Sequence, residues 1–112
     1  LKVRDIKVIL DADILVEGTT LDKEIISACG SDLMSDVLAF VKDGTLLLTG
    51  LTNPHVIRTA EVLDVSAIVF VRGKRPSQDI LDMAIERDIT LLSTRYTLFD
   101  ACGKLYEAGL RG

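Results

Sequence analysis

Thr45-Leu46-Leu47-Leu48-Thr49-Gly50-Leu51-Thr52-Asn53-Pro54-His55-Val56-Ile57-Arg58-Thr59-Ala60 holds a complete structural unit. Thr45 to Thr49 is a β-favouring apolar run and reads as a strand, with Gly50 to Asn53 as the loop that leaves it. Asn53 suits a helix N-cap, because its side-chain oxygen accepts one of the free amide hydrogen bonds. Pro54 suits the first helical position, where no backbone donor is needed. Val56, Ile57, Ala60 and Leu63 then make the buried stripe.

The same unit recurs downstream. Ala67 to Val71 is continuously apolar, which predicts a strand buried on both faces. Gly73-Lys74-Arg75-Pro76-Ser77 turns the chain into a helix carrying Ile80, Leu81, Ala84 and Ile85. Thr90 to Leu92 is a third strand, and Thr94 or Thr97 starts a last helix with Leu98, Ala101, Cys102 and Leu105. Strands joined by crossover helices run parallel.

The upstream half is less regular. Lys2 to Leu10 reads as a short helix, Ala12 to Val16 as a strand, and Glu17 to Thr20 as a turn. Glu24 to Cys29 fits a strand or a helix. Ser31-Asp32 offers an N-cap for a helix with Leu33, Met34, Val37, Leu38 and Val41, which Asp43-Gly44 is expected to end. The fold class is a compact α/β single domain spanning 1–112, with a small, mainly parallel sheet flanked by helices.

Composition narrows the function. The 112 residues are 48% hydrophobic, enough to exclude wholesale disorder. Thirteen basic against 17 acidic residues leave a net charge of −4, so the broad basic surface that nucleic acid requires is missing. No apolar run approaches the ~20 residues of a membrane span. Two cysteines, Cys29 and Cys102, are too few for a disulfide scaffold and read as small buried thiols. With no signal-like segment, the expected location is the cytoplasm. A mean hydropathy of +0.34 is high for so small a chain and hints at a covered apolar patch, as in a homodimer.

Catalytic candidates are few. His55 is the only histidine, which excludes a histidine metal cluster, and it lies at a helix start. No phosphate-cradling nucleotide loop or dinucleotide fingerprint is present. The carboxylate pairs Asp79/Asp82 and Glu86/Asp88 fall on solvated helix faces. No catalytic residue, metal or cofactor is expected.

The cations carry a sharper signal. In an open parallel sheet, ligands bind outside the carboxyl ends of the strands, where loops meet helix N-termini. Three such loops should converge: Gly50-Leu51-Thr52-Asn53, Arg72-Gly73-Lys74-Arg75 and Ser93-Thr94-Arg95. Four of the 13 basic residues, Arg72, Lys74, Arg75 and Arg95, fall on this edge, and no acidic residue is interspersed in the loops. With Thr52, Asn53, Ser77, Ser93 and Thr94 as donors, the edge suits a phosphate or carboxylate ligand.

The run Gly30-Ser31-Asp32-Leu33-Met34-Ser35-Asp36-Val37-Leu38, then Leu47 to Ala60, Ala67 to Gly73 and Leu91 to Phe99, resembles the DRTGG domain family over essentially the whole chain. The resemblance implies a fold similar to the amino-terminal domain of HPr kinase/phosphorylase, without its kinase domain. It also implies a regulatory role, commonly beside CBS pairs. The name-giving residues differ: Thr52-Asn53 stands where Asp-Arg is expected, and Val71-Arg72-Gly73 where Thr-Gly-Gly is expected. Arg72, Lys74 and Arg75 would then supply a displaced positive charge.

Two functions follow as expectations. The first is a non-catalytic regulatory module that senses a small anionic metabolite or nucleotide at the strand-end loops and passes loop closure to a partner protein or second subunit. The alternative is a structural homodimerisation or protein-interaction domain with no small-molecule ligand.

Overall fold

The computed structural model describes residues 1–112, folded as helix α1 (Val3–Ile9), strands β1 (Asp13–Val16) and β2 (Ser27–Gly30), α2 (Met34–Phe40), β3 (Thr45–Thr49), α3 (Pro54–Val62), β4 (Ala67–Phe70), α4 (Gln78–Glu86), β5 (Thr90–Ser93) and α5 (Leu98–Glu107). The five strands form one sheet in the order β1-β5-β4-β3-β2. Strands β2 to β5 are parallel, and β1 closes the far edge antiparallel to β5, with Asp13 opposite Ser93.

Each step from β2 to β5 moves to the next strand in the same direction. Crossovers of one hand therefore put α2, α3 and α4 on one face of the sheet. Val37, Ile57, Ala60, Ile80 and Ala84 from these helices pack on Leu47, Ile68, Phe70 and Leu91. The other face is covered by α1 and α5, whose Val3, Ile6, Ala101 and Leu105 meet Leu46, Leu48, Val69 and Leu92. Residues of β3, β4 and β5 are buried without interruption, as strands covered on both sides must be.

Four of the helices stop by one device. After α1, α3, α4 and α5 the chain passes through a left-handed residue, namely Asp11, Asp64, Asp88 and Gly109. The amides of these residues and of the next four, Ala12, Val65, Ile89 and Leu110, reach back to the helix carbonyls. The second residue of each pair is buried, so every stop also anchors the next segment in the core. Aspartate tolerates this conformation better than most side chains.

The α2 region departs from expectation. Its N-cap is Leu33, without a side-chain cap bond. The Ser31 hydroxyl accepts from the Leu33 amide at 3.0 Å, while Asp32 turns to β3 and accepts from the Gly50 amide at 2.6 Å and the Thr49 hydroxyl at 3.0 Å. The helix ends at Phe40 with Val41 extended, so Gly44 does not cap it. Gly44, at φ +72, instead shapes the turn into β3, where a Cβ would lie 2.7 Å from Ile26. Glu24 lies outside β2, in an isolated bridge to Lys2. Ile85, expected in the α4 stripe, is 60% exposed, because Ile80 and Ala84 already fill that helix's contact line.

Candidate functional site

The loops that follow β3, β4 and β5 emerge side by side, so the three loops singled out in the sequence share one rim. The helix after β4 lies on one face of the sheet and the helix after β5 on the other. The chain thus diverges between these two strands, as at the ligand-binding crevice of open α/β sheets.

Much of this crevice is closed by the chain itself. Val71 to Lys74 form a tight turn, with the Lys74 amide donating to the Val71 carbonyl at 3.1 Å. Its central residues, Arg72 and Gly73, are both left-handed, at φ 58 and 68. Two successive amides in such a turn often form an anion-binding nest. Here the Arg72 amide donates to the Tyr96 carbonyl and the Gly73 amide to the Thr94 carbonyl, each at 2.8 Å. The donors are spent in extending the β4–β5 ladder.

The expected hydroxyl donors divide in the same way. Ser93 donates to the Lys74 carbonyl at 2.8 Å, and Thr94 to the Leu10 carbonyl at 2.7 Å. Both side chains are buried. Asn53 caps α3 by accepting from the His55 amide at 3.0 Å. Thr97 caps α5 by accepting from the Asp100 amide at 3.2 Å. Ser77 stands at the α4 N-cap but makes no cap bond, and Thr52 is half-buried beside Asn53.

Electrostatics bring the main correction. The three loops contain no acid, yet the rim is not purely cationic. The antiparallel β1 begins where β5 ends, so the α1–β1 connection delivers Asp11 and Asp13 to the same place. Arg75 pairs with Asp13 at 2.5 Å and Arg95 with Asp11 at 3.5 Å. These side chains border a shallow cavity of about 330 Å³ with no apolar residue in its lining. On the β3–β4 side, Arg72 lies across Gly50, where any Cβ would run into its guanidinium. Arg72 and Lys74 are exposed and join none of the chain's ion pairs.

Asp11, Asp13 and Asp32 are the rim residues that sequence reasoning missed. Asp11 could have been found: an aspartate between a helical stripe and a strand is a left-handed stop signal. Asp13 could not, because which edge β1 joins depends on the tertiary fold.

The remaining chemistry-bearing side chains stand apart. Burial pushes the Cys29 thiol up from its ordinary range, helped by Asp36, and burial also raises Cys102, helped by Cys29. Neither is a ready thiolate. His55 is exposed, and its ring has no hydrogen-bond partner in the chain.

A family model described as the DRTGG domain matches residues 5–108. Among curated proteins, no significant match is found. Among solved structures, the chain is similar to the CBS and DRTGG domains of the regulatory region of Clostridium perfringens pyrophosphatase, complexed with its activator diadenosine tetraphosphate. The TM-score is 0.77 at 19% identity, over 90% of this chain and 44% of that one. At this identity the likeness establishes the fold, and the chain spans less than half of the neighbour's length.

Proposed function

Because the chain belongs to the DRTGG domain family, we propose that it is a non-catalytic regulatory module that senses a small anionic metabolite, of the nucleotide class, at the strand-end rim. Arg72 carries this reading. Its backbone is held in a conformation that bulky L-residues avoid, its guanidinium lies over Gly50, and it joins no ion pair. Arg72 and Lys74 are the two rim cations that a phosphate can engage without breaking an existing pair.

Arg75 and Arg95 join only if Asp13 and Asp11 release them. Exchange of these partners would free the α1–β1 connection, which gives binding a way to be felt by a partner protein or a second subunit. The activator of the solved neighbour, diadenosine tetraphosphate, is an anion of the same chemical class and supports the choice of ligand. Two free thiols fit a reducing compartment. Their raised titration and the isolated His55 favour regulation over catalysis.

Calorimetric titration with adenine mononucleotides and diadenosine tetraphosphate tests the proposal. Binding that weakens with added salt is expected. Replacing Arg72 and Lys74 together by alanine should weaken it roughly 10- to 100-fold, the value of one or two charge-assisted hydrogen bonds. Silence across the panel, from protein shown to be folded, overturns the reading. A second reading, assembly of the domain with a copy of itself, is favoured by Phe99, which stands 86% exposed on α5.

A further inference from the structure

Helix α5 sends Ala101 and Leu105 into the core and leaves a second apolar ridge outside. Phe99 and Tyr106 are 86% and 59% exposed, with Cys102 half-buried between them. Gly103 stands in the helix interior at the fourth position after Phe99, on the same side as both rings. Glycine there destabilises a helix relative to alanine. Nothing in the chain lies within 4 Å of where its Cβ would be. No contact within the chain requires so small a residue, whereas a helix arriving from outside would find a notch between two aromatic rings.

We infer that this ridge is a homodimer interface, in which α5 packs antiparallel on α5 of a second copy across a two-fold axis near Gly103. The inference rests on the assembly reading and supplies its face. Charge identifies the occupant. Asp100, Lys104 and Glu107 border the ridge and take part in none of the chain's ion pairs. Lys104 lies over the Tyr96 ring, 4.7 Å from its centroid, and Arg111 lies over one face of Tyr106 at 3.7 Å. Reversing the helix about Gly103 sets the order minus, plus, minus against its own reverse. Lys104 then falls between Asp100 and Glu107 of the second copy, nearer to Asp100, and the second Lys104 does the same. An isologous contact needs this self-complementarity.

Sedimentation equilibrium of the full chain tests the inference, with circular dichroism to confirm that every variant is folded. The wild-type chain should dimerise. Phe99→Glu and Gly103→Leu should each raise the dimer Kd roughly thirtyfold, the loss expected at an interface hot spot. Asp100→Lys and Lys104→Asp should each weaken the dimer, and the double exchange should recover most of the loss. A wild-type monomer at every concentration overturns both this face and the assembly reading. A dimer indifferent to Phe99→Glu and Gly103→Leu overturns the face and leaves assembly standing. Failure of the double exchange to recover affinity overturns the antiparallel arrangement.

Discussion

Arg75 and Arg95, on the β1–β5 half of the rim, each pair with an aspartate, whereas Arg72, over Gly50 on the β3–β4 half, and Lys74 join no ion pair. All four cations sit in the same kind of loop and look equivalent along the chain. The difference comes from the edge strand. Because β1 runs against β5, its start brings Asp11 and Asp13 to the ends of the parallel strands, and it does so on one side only. The closed half also holds the spent donors Ser93 and Thr94. The spent donors of the closed half are therefore expected to govern stability, and the unpaired cations to govern affinity.

The largest effect that would break this division is at Thr94. Its hydroxyl ties β5 to the last carbonyl of the α1 region, 84 residues away in sequence, and the side chain is 2% exposed. Thr94→Val keeps the shape but leaves the Leu10 carbonyl without that donor, at a cost of about 1–3 kcal/mol. Urea unfolding should show this loss, and Thr94→Ser should recover most of it. Anion affinity should stay unchanged in both. A loss of affinity with stability intact would move Thr94 into the ligand site and dissolve the contrast between the halves.

Where the fold was legible, local chemistry was sufficient. The strands Thr45–Thr49 and Ala67–Phe70, the Asn53 cap and Pro54 at the first helical position all appear as their residue types demand. The parallel order followed from helices long enough to cross between strands. The α2 region was misjudged because Asp32 had two uses, capping the next helix or holding the Gly50 amide. The choice depends on where β3 lies. Rim membership was readable for the same reason as the strands, since each loop follows its own strand. Charge balance was not, because Asp11 and Asp13 arrive from more than sixty residues away through an antiparallel pairing that has no local signal.

A smaller effect sharpens the open half. Arg72 holds a left-handed backbone at φ 58, which costs a non-glycine residue roughly 1 kcal/mol. Arg72→Gly removes that strain together with the guanidinium. Stability should rise by up to about 1 kcal/mol while anion affinity falls, and Arg72→Ala should lose affinity without the gain. Paired urea unfolding and calorimetry on the two variants separate the contributions. If Arg72→Gly is the less stable protein, packing of the guanidinium over Gly50 outweighs the strain, and Arg72 belongs with the scaffold.

The smallest effect concerns the pair that distinguishes the closed half. Arg75 and Asp13 lie 2.5 Å apart, but their side chains are 56% and 70% exposed. Water and salt screen such a pair, and holding two long side chains together costs entropy, so a double-mutant cycle should give a coupling of only about 0.2–1 kcal/mol. The cycle with Arg75→Ala and Asp13→Ala, read by urea unfolding, should shrink further as salt is added. A weak pair is what an exchangeable rim requires: an arriving phosphate can take Arg75 from Asp13 at little cost only if little holds them together. A coupling several times larger, persisting in salt, would make the pair a fixed strut and confine any ligand to Arg72 and Lys74.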